Sequence, residues 1–263
     1  MLQRDWTGMP ATNTSADNRL SAYLASRLGA LVLVLCAPLA AAFEPAPFEL
    51  ELEGFFYRGL PIKVIGTQTL EQRSDGSWRM ELEARGPFIR MEERSDFRWE
   101  GDTLIPLDYQ YRLRAPFERE ERRVRFQPDR DRIRAEVNDR RTDHDYDPEW
   151  YDPLSYTLLI LRDMERGLTT SDFMVVDRHD ARQYVFEQIE HRRAPDQAIL
   201  VSQAEPDRGD IFILFDQSSM LPAHLLRWDD GSIEYQIKTL SGEKNGQAWN
   251  DFPHWPNPRR NAP

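Results

Sequence analysis

The chain reads as mainly β: a strongly curved antiparallel sheet, a half-barrel or incomplete barrel, around one main α-helix. Three observations predict it. Short runs of alternating apolar and polar residues recur from Phe48 to Leu240, the period of a half-buried strand. Turn signals rich in Gly, Pro, Asp and Ser separate them. One segment, Asp152 to Gly167, instead carries helical spacing and punctuation. About a dozen strands and one buried helix are accommodated economically by a sheet curled around the helix.

The elements follow in order. Phe48-Glu49-Leu50-Glu51-Leu52-Glu53 alternates apolar and acidic, and Ile62 to Leu70 continues the pattern. Ser74-Asp75-Gly76-Ser77 is a tight turn, because Gly tolerates the positive φ that such turns need. Trp78 to Ala84 alternates again, Gly86-Pro87 interrupts, and Phe88 to Trp99 reads as the next strand. Glu100-Gly101-Asp102 turns it. Tyr109 to Leu113, Arg123 to Phe126 and Arg132 to Val137 follow, parted by turns at Pro116 and Pro128-Asp129. These strands predict a meander with one polar face.

The helix is predicted over 153–166. Asp152 caps its free amides, Pro153 occupies the first position at no hydrogen-bond cost, and Arg166 suits the negative end of the dipole. Gly167 supplies the left-handed cap. Leu154, Leu158 and Leu161 form a stripe that Leu159, Ile160 and Met164 widen, so the helix is buried over much of its circumference. Strands resume at Phe173 to Val176, Gln183 to Ile189, Ala198 to Val201, Ile211 to Phe215, Ala223 to Trp228 and Ile233 to Leu240. Asp229-Asp230-Gly231-Ser232 joins the last two as a hairpin. Residues 43–240 thus form one domain, and 241–263, rich in Pro, Asn and Trp, form an irregular tail that Trp249, Phe252 and Trp255 pin to it.

Residues 1–42 read as an N-terminal extension and a cleavable signal peptide. Arg19 and Arg27 form the basic region, Gly29 to Ala37 the apolar core, and Ala40-Ala41-Ala42 the cleavage site, with Met9 an alternative start. The apolar run is shorter than the roughly 20 residues of a spanning helix. The expectation is a periplasmic protein cut near Ala42, with no transmembrane span in the mature chain. Cys36, the only cysteine, would leave with the signal, and Leu35 before it does not suit a lipoprotein cleavage site.

Removing residues 1–42 takes three Arg and two Asp, so the formal charge of -11 becomes -12 over 221 residues. That size suits a single domain with a real core. So acidic a chain is a poor nucleic-acid binder, and its net charge opposes simple adhesion to anionic lipid heads.

No catalytic motif stands out. His144, His179, His191, His224 and His254 are scattered without metal-ligand spacing. There is no nucleophile elbow or phosphate loop, and nothing activates Ser218 or Ser219. Asp143-His144-Asp145-Tyr146-Asp147-Pro148-Glu149 has acidic residues at alternate positions, but Pro148 and Leu154 stand where a calcium loop needs Gly and Glu. It reads as a solvated acidic loop feeding the Asp152 cap, with a weak divalent-ion site as the alternative. Arg112, Arg114, Arg119, Arg122, Arg123, Arg125, Arg130, Arg132 and Arg134 form a dense run. Cross-strand pairing with Glu118, Glu120, Glu121 and Glu136 accounts for it, the alternative being a basic patch for an anionic glycan or lipid head. Phe55-Phe56-Tyr57, Trp78, Phe88, Phe97 and Trp99 are assigned to the core.

Several strings, in order, resemble a family of Gram-negative exported proteins known as domain of unknown function 3108. They are Gly59-Leu60-Pro61, Arg94-Ser95-Asp96-Phe97, Ile105-Pro106-Leu107-Asp108-Tyr109, Asp152-Pro153-Leu154-Ser155-Tyr156 with Leu161-Arg162, and Leu221-Pro222-Ala223. The resemblance implies export and a curved sheet, similar in outline to the periplasmic lipoprotein carriers, but no activity or site residues. The expectation is a non-catalytic protein, without cofactor or metal, that holds an apolar or amphipathic, lipid-like ligand in the concave face. The alternative is an envelope-assembly protein that engages a protein partner through a strand edge or its tail.

Overall fold

The computed structural model describes residues 43–253, apart from 59, 117, 191–195, 207–209 and 230–231. The signal segment, His191, His254 and Trp255 therefore lie outside the described residues.

Sixteen strands occur among the described residues: β1 (Phe48–Arg58), β2 (Leu60–Gln72), β3 (Trp78–Arg85), β4 (Arg90–Glu100), β5 (Thr103–Ala115), β6 (Glu118–Gln127), β7 (Arg132–Val137) and β8 (Arg140–Asp145), then β9 (Trp150–Tyr151), β10 (Thr170–Asp177), β11 (Asp180–Gln188), β12 (Ala198–Glu205), β13 (Ile211–Asp216), β14 (Pro222–Asp229), β15 (Ser232–Lys244) and β16 (Gln247–Trp249). The helix, α1, spans Tyr156–Glu165. They build one sheet in the order β8-β7-β6-β5-β4-β3-β2-β1-β15-β14-β13-β12-β11-β10-β9, with β16 added to β15. The expected curved, mainly β architecture is therefore present as a large sheet whose backbone does not close into a barrel.

Its two ends are β8 and β9, consecutive in sequence, and side chains cross the gap between them. Arg122 Nη1 donates to Asp177 Oδ1 at 2.8 Å, and Thr142 Oγ1 lies 3.1 Å from His179 Nδ1. Arg178 reaches Glu120 at 3.4 Å, and His144 meets Trp150 edge-on at 5.8 Å between ring centroids. The seam is closed by side chains instead of a backbone ladder.

One pairing departs from the antiparallel expectation: β9 and β10 are parallel. Parallel neighbours need a crossover, and α1 is that crossover, passing through the concave side of the sheet. It starts later than predicted, because Asp152 to Ser155 form a turn first. Asp152 Oδ1 accepts the backbone N–H of Leu154 and of Ser155, both at 2.9 Å. Its Oδ2 accepts the hydroxyls of Ser155 and, from β4, Ser95, both at 2.7 Å. The fully buried Asp152 therefore caps the turn and ties it to the opposite sheet wall. Gly167 ends the helix at φ +76, and Arg166 pairs with Asp102 in the β4–β5 turn. Leu158, Leu159, Ile160 and Leu161 are all buried.

Other expectations need correction. The tail does not begin at 241, since β15 runs to Lys244 and turns through Asn245-Gly246 into β16. Gly242 permits this: a Cβ there would sit 2.5 Å from Leu50 Cδ2. Phe252, 4% exposed, pins the chain beyond. Nor is the outer face uniformly polar. In β13 every residue of Ile-Phe-Ile-Leu-Phe is buried, with Ile211, Ile213 and Phe215 in the main core. Phe212 and Leu214 join Leu200, Leu226 and Ile233 in a second cluster outside. Phe88 is not core: β4 starts at Arg90, and Phe88 stands 73% exposed in the turn closed by Gly86 N–H to the Ile89 carbonyl. Phe55 and Tyr57 are half-buried, whereas Phe56, Trp78 and Phe97 are buried as expected.

Candidate ligand cavity

The helix occupies only part of the concave face. It runs from mid-height at Ser95 toward the β4–β5 turn and packs the end of the sheet that holds Phe97, Leu104 and Phe215. Toward the β3–β4 and β5–β6 turns the concavity stays open as a cavity of about 570 Å³. Phe56, Leu82, Met91, Ile213, Leu225 and Ile237 supply its apolar wall, and Pro153, Leu154 and Tyr156 its floor. Tyr156 stacks on Phe173 and Phe186 at 5.6 and 5.3 Å between centroids, which holds the floor in place.

A polar row is set into this wall. Glu93, Tyr111 and Arg122 lie directly opposite one another on β4, β5 and β6 and line the cavity. Tyr109 donates its hydroxyl to Glu93 Oε1 at 2.7 Å, and the Arg122 guanidinium lies 4.4 Å from the centre of the Tyr111 ring. Arg122 also donates to Glu120 at 2.8 Å, while its buried Nε has no hydrogen-bond partner among the described residues. Burial opposes the Arg122 charge, but the carboxylates of Glu120 and Asp177 outweigh it and raise its pKa. Across the cavity Arg227 pairs with Glu234 at 3.1 Å, and burial pushes Tyr235 up to about 12.

Glu93 is half-buried and borders the cavity. Burial pushes its carboxyl up to about 7, against the lowering effect of the Tyr109 hydrogen bond and of Arg122. Because the folded value exceeds the ordinary 4.5, folding takes up a proton. The stability this gives is complete below pH 4.5 and is lost as pH rises through 7. Glu93→Gln is therefore expected to be more stable than the parent at pH 8, by about 1–3 kcal/mol, and equal to it below pH 4.5. Denaturant midpoints across pH check this; a constant difference would refute it.

The segments singled out in the sequence lie elsewhere. Asp143 is on edge strand β8 and pairs with Arg134 at 3.1 Å and Arg141 at 2.7 Å, so only the second half of the acidic segment is loop. No cluster of three or more potential metal ligands occurs among the described residues. Ser218 and Ser219 both donate to Asp216, within a turn. In the arginine run, Arg112, Arg123, Arg125, Arg132 and Arg134 make cross-strand or neighbouring ion pairs on the outer face. Arg122 alone among these points inward. Neither it nor Glu93 was singled out as a site residue, yet a signal exists. In Met91-Glu92-Glu93-Arg94-Ser95 and Glu120-Glu121-Arg122-Arg123-Val124, both occupy the register of the buried face.

Among the described residues no helix is long and apolar enough to cross a membrane. No curated protein matches the chain. A solved structure resembles it: the beta-barrel-like protein of domain of unknown function DUF1849 from Brucella abortus, with a TM-score of 0.51 and 8% identity, over 77% of this chain and 99% of that one. At that identity the likeness concerns fold alone. The profile of a family described as protein of unknown function, DUF3108, matches residues 55–209, more than half of the chain. The expected resemblance is thereby met, and the chain belongs to the DUF3108 family.

Proposed function

We propose that this is a periplasmic, non-catalytic carrier or receptor for an amphipathic, lipid-like ligand held between sheet and helix. The observation that carries it is the cavity of about 570 Å³, apolar in most of its wall and bordered by the polar groups of Glu93, Tyr111, Arg122 and Arg227. Its size suits a small-molecule ligand. An apolar chain would lie against Phe56, Met91 and Ile237, while a head group with acceptor oxygens would face the guanidinium groups of Arg122 and Arg227. The alternative, assembly through a strand edge, gains less support. It calls for a packed interior, and edge strand β8 is studded with Arg and Asp, which discourage strand addition.

The test is native mass spectrometry of protein exported with its own leader and purified without detergent. A mass excess that extracts into organic solvent is expected, with an N-terminus at Phe43. Substituting Met91 and Ile237 by Trp should abolish that excess by filling the cavity. A ligand-free mass, together with no uptake of a fluorescent fatty acid, would defeat the carrier reading.

A further inference from the structure

We propose that the rim of the cavity mouth docks on an anionic lipid bilayer. The proposal concerns the outside of the protein and does not depend on what the cavity holds.

Two features coincide at this end of the sheet. The first is a row of arginines. Cross-strand register places Arg85 opposite Arg90, Arg90 opposite Arg114, and Arg114 opposite Arg119. Their neighbours Ala84, Met91, Leu113 and Glu120 are buried on the inner side, so all four guanidinium groups project from the outer face, where all four residues are exposed. The row crosses four strands, about 14 Å at the usual strand spacing. Like charges directly opposite one another are unfavourable unless something neutralises them. Glu83 and Glu92, one step back, pair with Arg85 and Arg90. Arg114 and Arg119 have no ion-pair partner among the described residues, although the remaining arginines of the same strands on this face, Arg112, Arg123 and Arg125, are paired.

The second feature is a pair of exposed apolar side chains beyond the row, at the same end of their strands. Phe88 is 73% exposed and Leu60 79% exposed, with Pro87 and Pro61 exposed beside them. Phe88 lies in the β3–β4 turn beside the cavity-lining Ile89, and Leu60 opens β2 two residues before the cavity-lining Ile62. Phe88 precedes Arg90 by two residues, which sets the arginine row about 7 Å behind that tip, whereas Leu60, five residues beyond the Ile65 that faces Arg85, projects further, about 17 Å along its strand. The first separation matches an interfacial site, with apolar side chains at the acyl boundary and basic groups among the phosphates. Isolated projecting tips suit a fluid layer better than a shaped protein pocket. The acidic net charge opposes this only weakly, since at physiological salt a surface senses charge over only about 8 Å. Docked this way, the cavity would open toward the bilayer.

Sedimentation with vesicles tests the proposal. Protein recovered from expression of the whole chain is mixed with phosphatidylcholine vesicles, plain or carrying about one third phosphatidylglycerol. Binding to the anionic vesicles that falls with salt is expected, with little to the neutral ones. Arg114→Glu/Arg119→Glu should weaken it by about 30-fold or more, at about 1 kcal/mol per basic residue. Leu60→Ser/Phe88→Ser should weaken it by at least tenfold. Arg98→Glu/Arg130→Glu, with the same charge change on exposed residues near the opposite end, should bind as the parent does. Every variant carries the same N-terminus, so differences report on the rim, and unchanged melting temperatures show that each folds. No binding at low salt, or equal losses in the rim and control variants, would overturn the proposal and leave the row to an acidic protein partner. Fatty-acid uptake by the rim variants stays at the parental level whether or not the carrier reading holds, which separates the two.

Discussion

Asp152→Ala is expected to cost about 4 kcal/mol and to lower the melting temperature by roughly 10 °C. The carboxylate is fully buried and accepts four hydrogen bonds, two from backbone amides and two from hydroxyls. Alanine would leave all four donors buried and unpaired, and each such group costs about 1–3 kcal/mol before relaxation. The Ser95 contact bridges 57 positions of sequence, so its loss loosens α1 from the sheet as well as the turn from itself. Asp152→Asn should recover much of the stability, because its carbonyl can still accept both amides while the hydroxyls rotate to meet its NH2. Thermal and urea unfolding of the three proteins decide the matter. An alanine variant within 1 kcal/mol of the parent would mean that the cap does not hold the helix in place.

Arg122→Met should destabilise the fold by about 3–5 kcal/mol and do so at the seam. Arg122 is the cation between Glu120 and Asp177, and its side chain is only 13% exposed. Removing it leaves two carboxylates facing each other, with Glu120 retaining Arg178 at 3.4 Å. Since β8 and β9 share no ladder, the backbone offers no second closure there. Amide exchange should quicken first in β8 and in the β10–β11 hairpin, ahead of the centre of the sheet. Adding Glu120→Gln to the variant should give back part of the loss, because fewer uncompensated charges remain. Exchange that rises evenly over the whole sheet would show that the seam is not held by this pair.

Much of the fold was legible because its strands obey a simple period. Trp78-Arg79-Met80-Glu81-Leu82 alternates, and it is buried at Trp78, Met80 and Leu82 as alternation requires. The turn signal after β14 was equally readable, since Asp229 pairs with Ser232 as that signal demands. Phe88 was misassigned because a local pattern cannot say where a strand stops when the turn residues are themselves apolar. Gly242 was missed because its role, letting β15 pass beneath Leu50, arises from a contact 192 residues away in the chain.

The sequence by itself determined the β character, the turns, the single buried helix with its Gly167 stop and the expectation of export, while the Asp152 cap it offered falls on the turn before the helix. Those features follow from neighbours within a few residues, where propensity and spacing act directly. Tertiary structure alone decided that the sheet stays open in its backbone yet sealed by Arg122 and Asp177, and that α1 fills only one end. It alone brought Glu93, Tyr111 and Arg122 into one row in a cavity wall and lined up Arg85, Arg90, Arg114 and Arg119 outside it. Cross-strand register sets these alignments, and register is fixed by packing between segments far apart in the chain, about which a local pattern is silent.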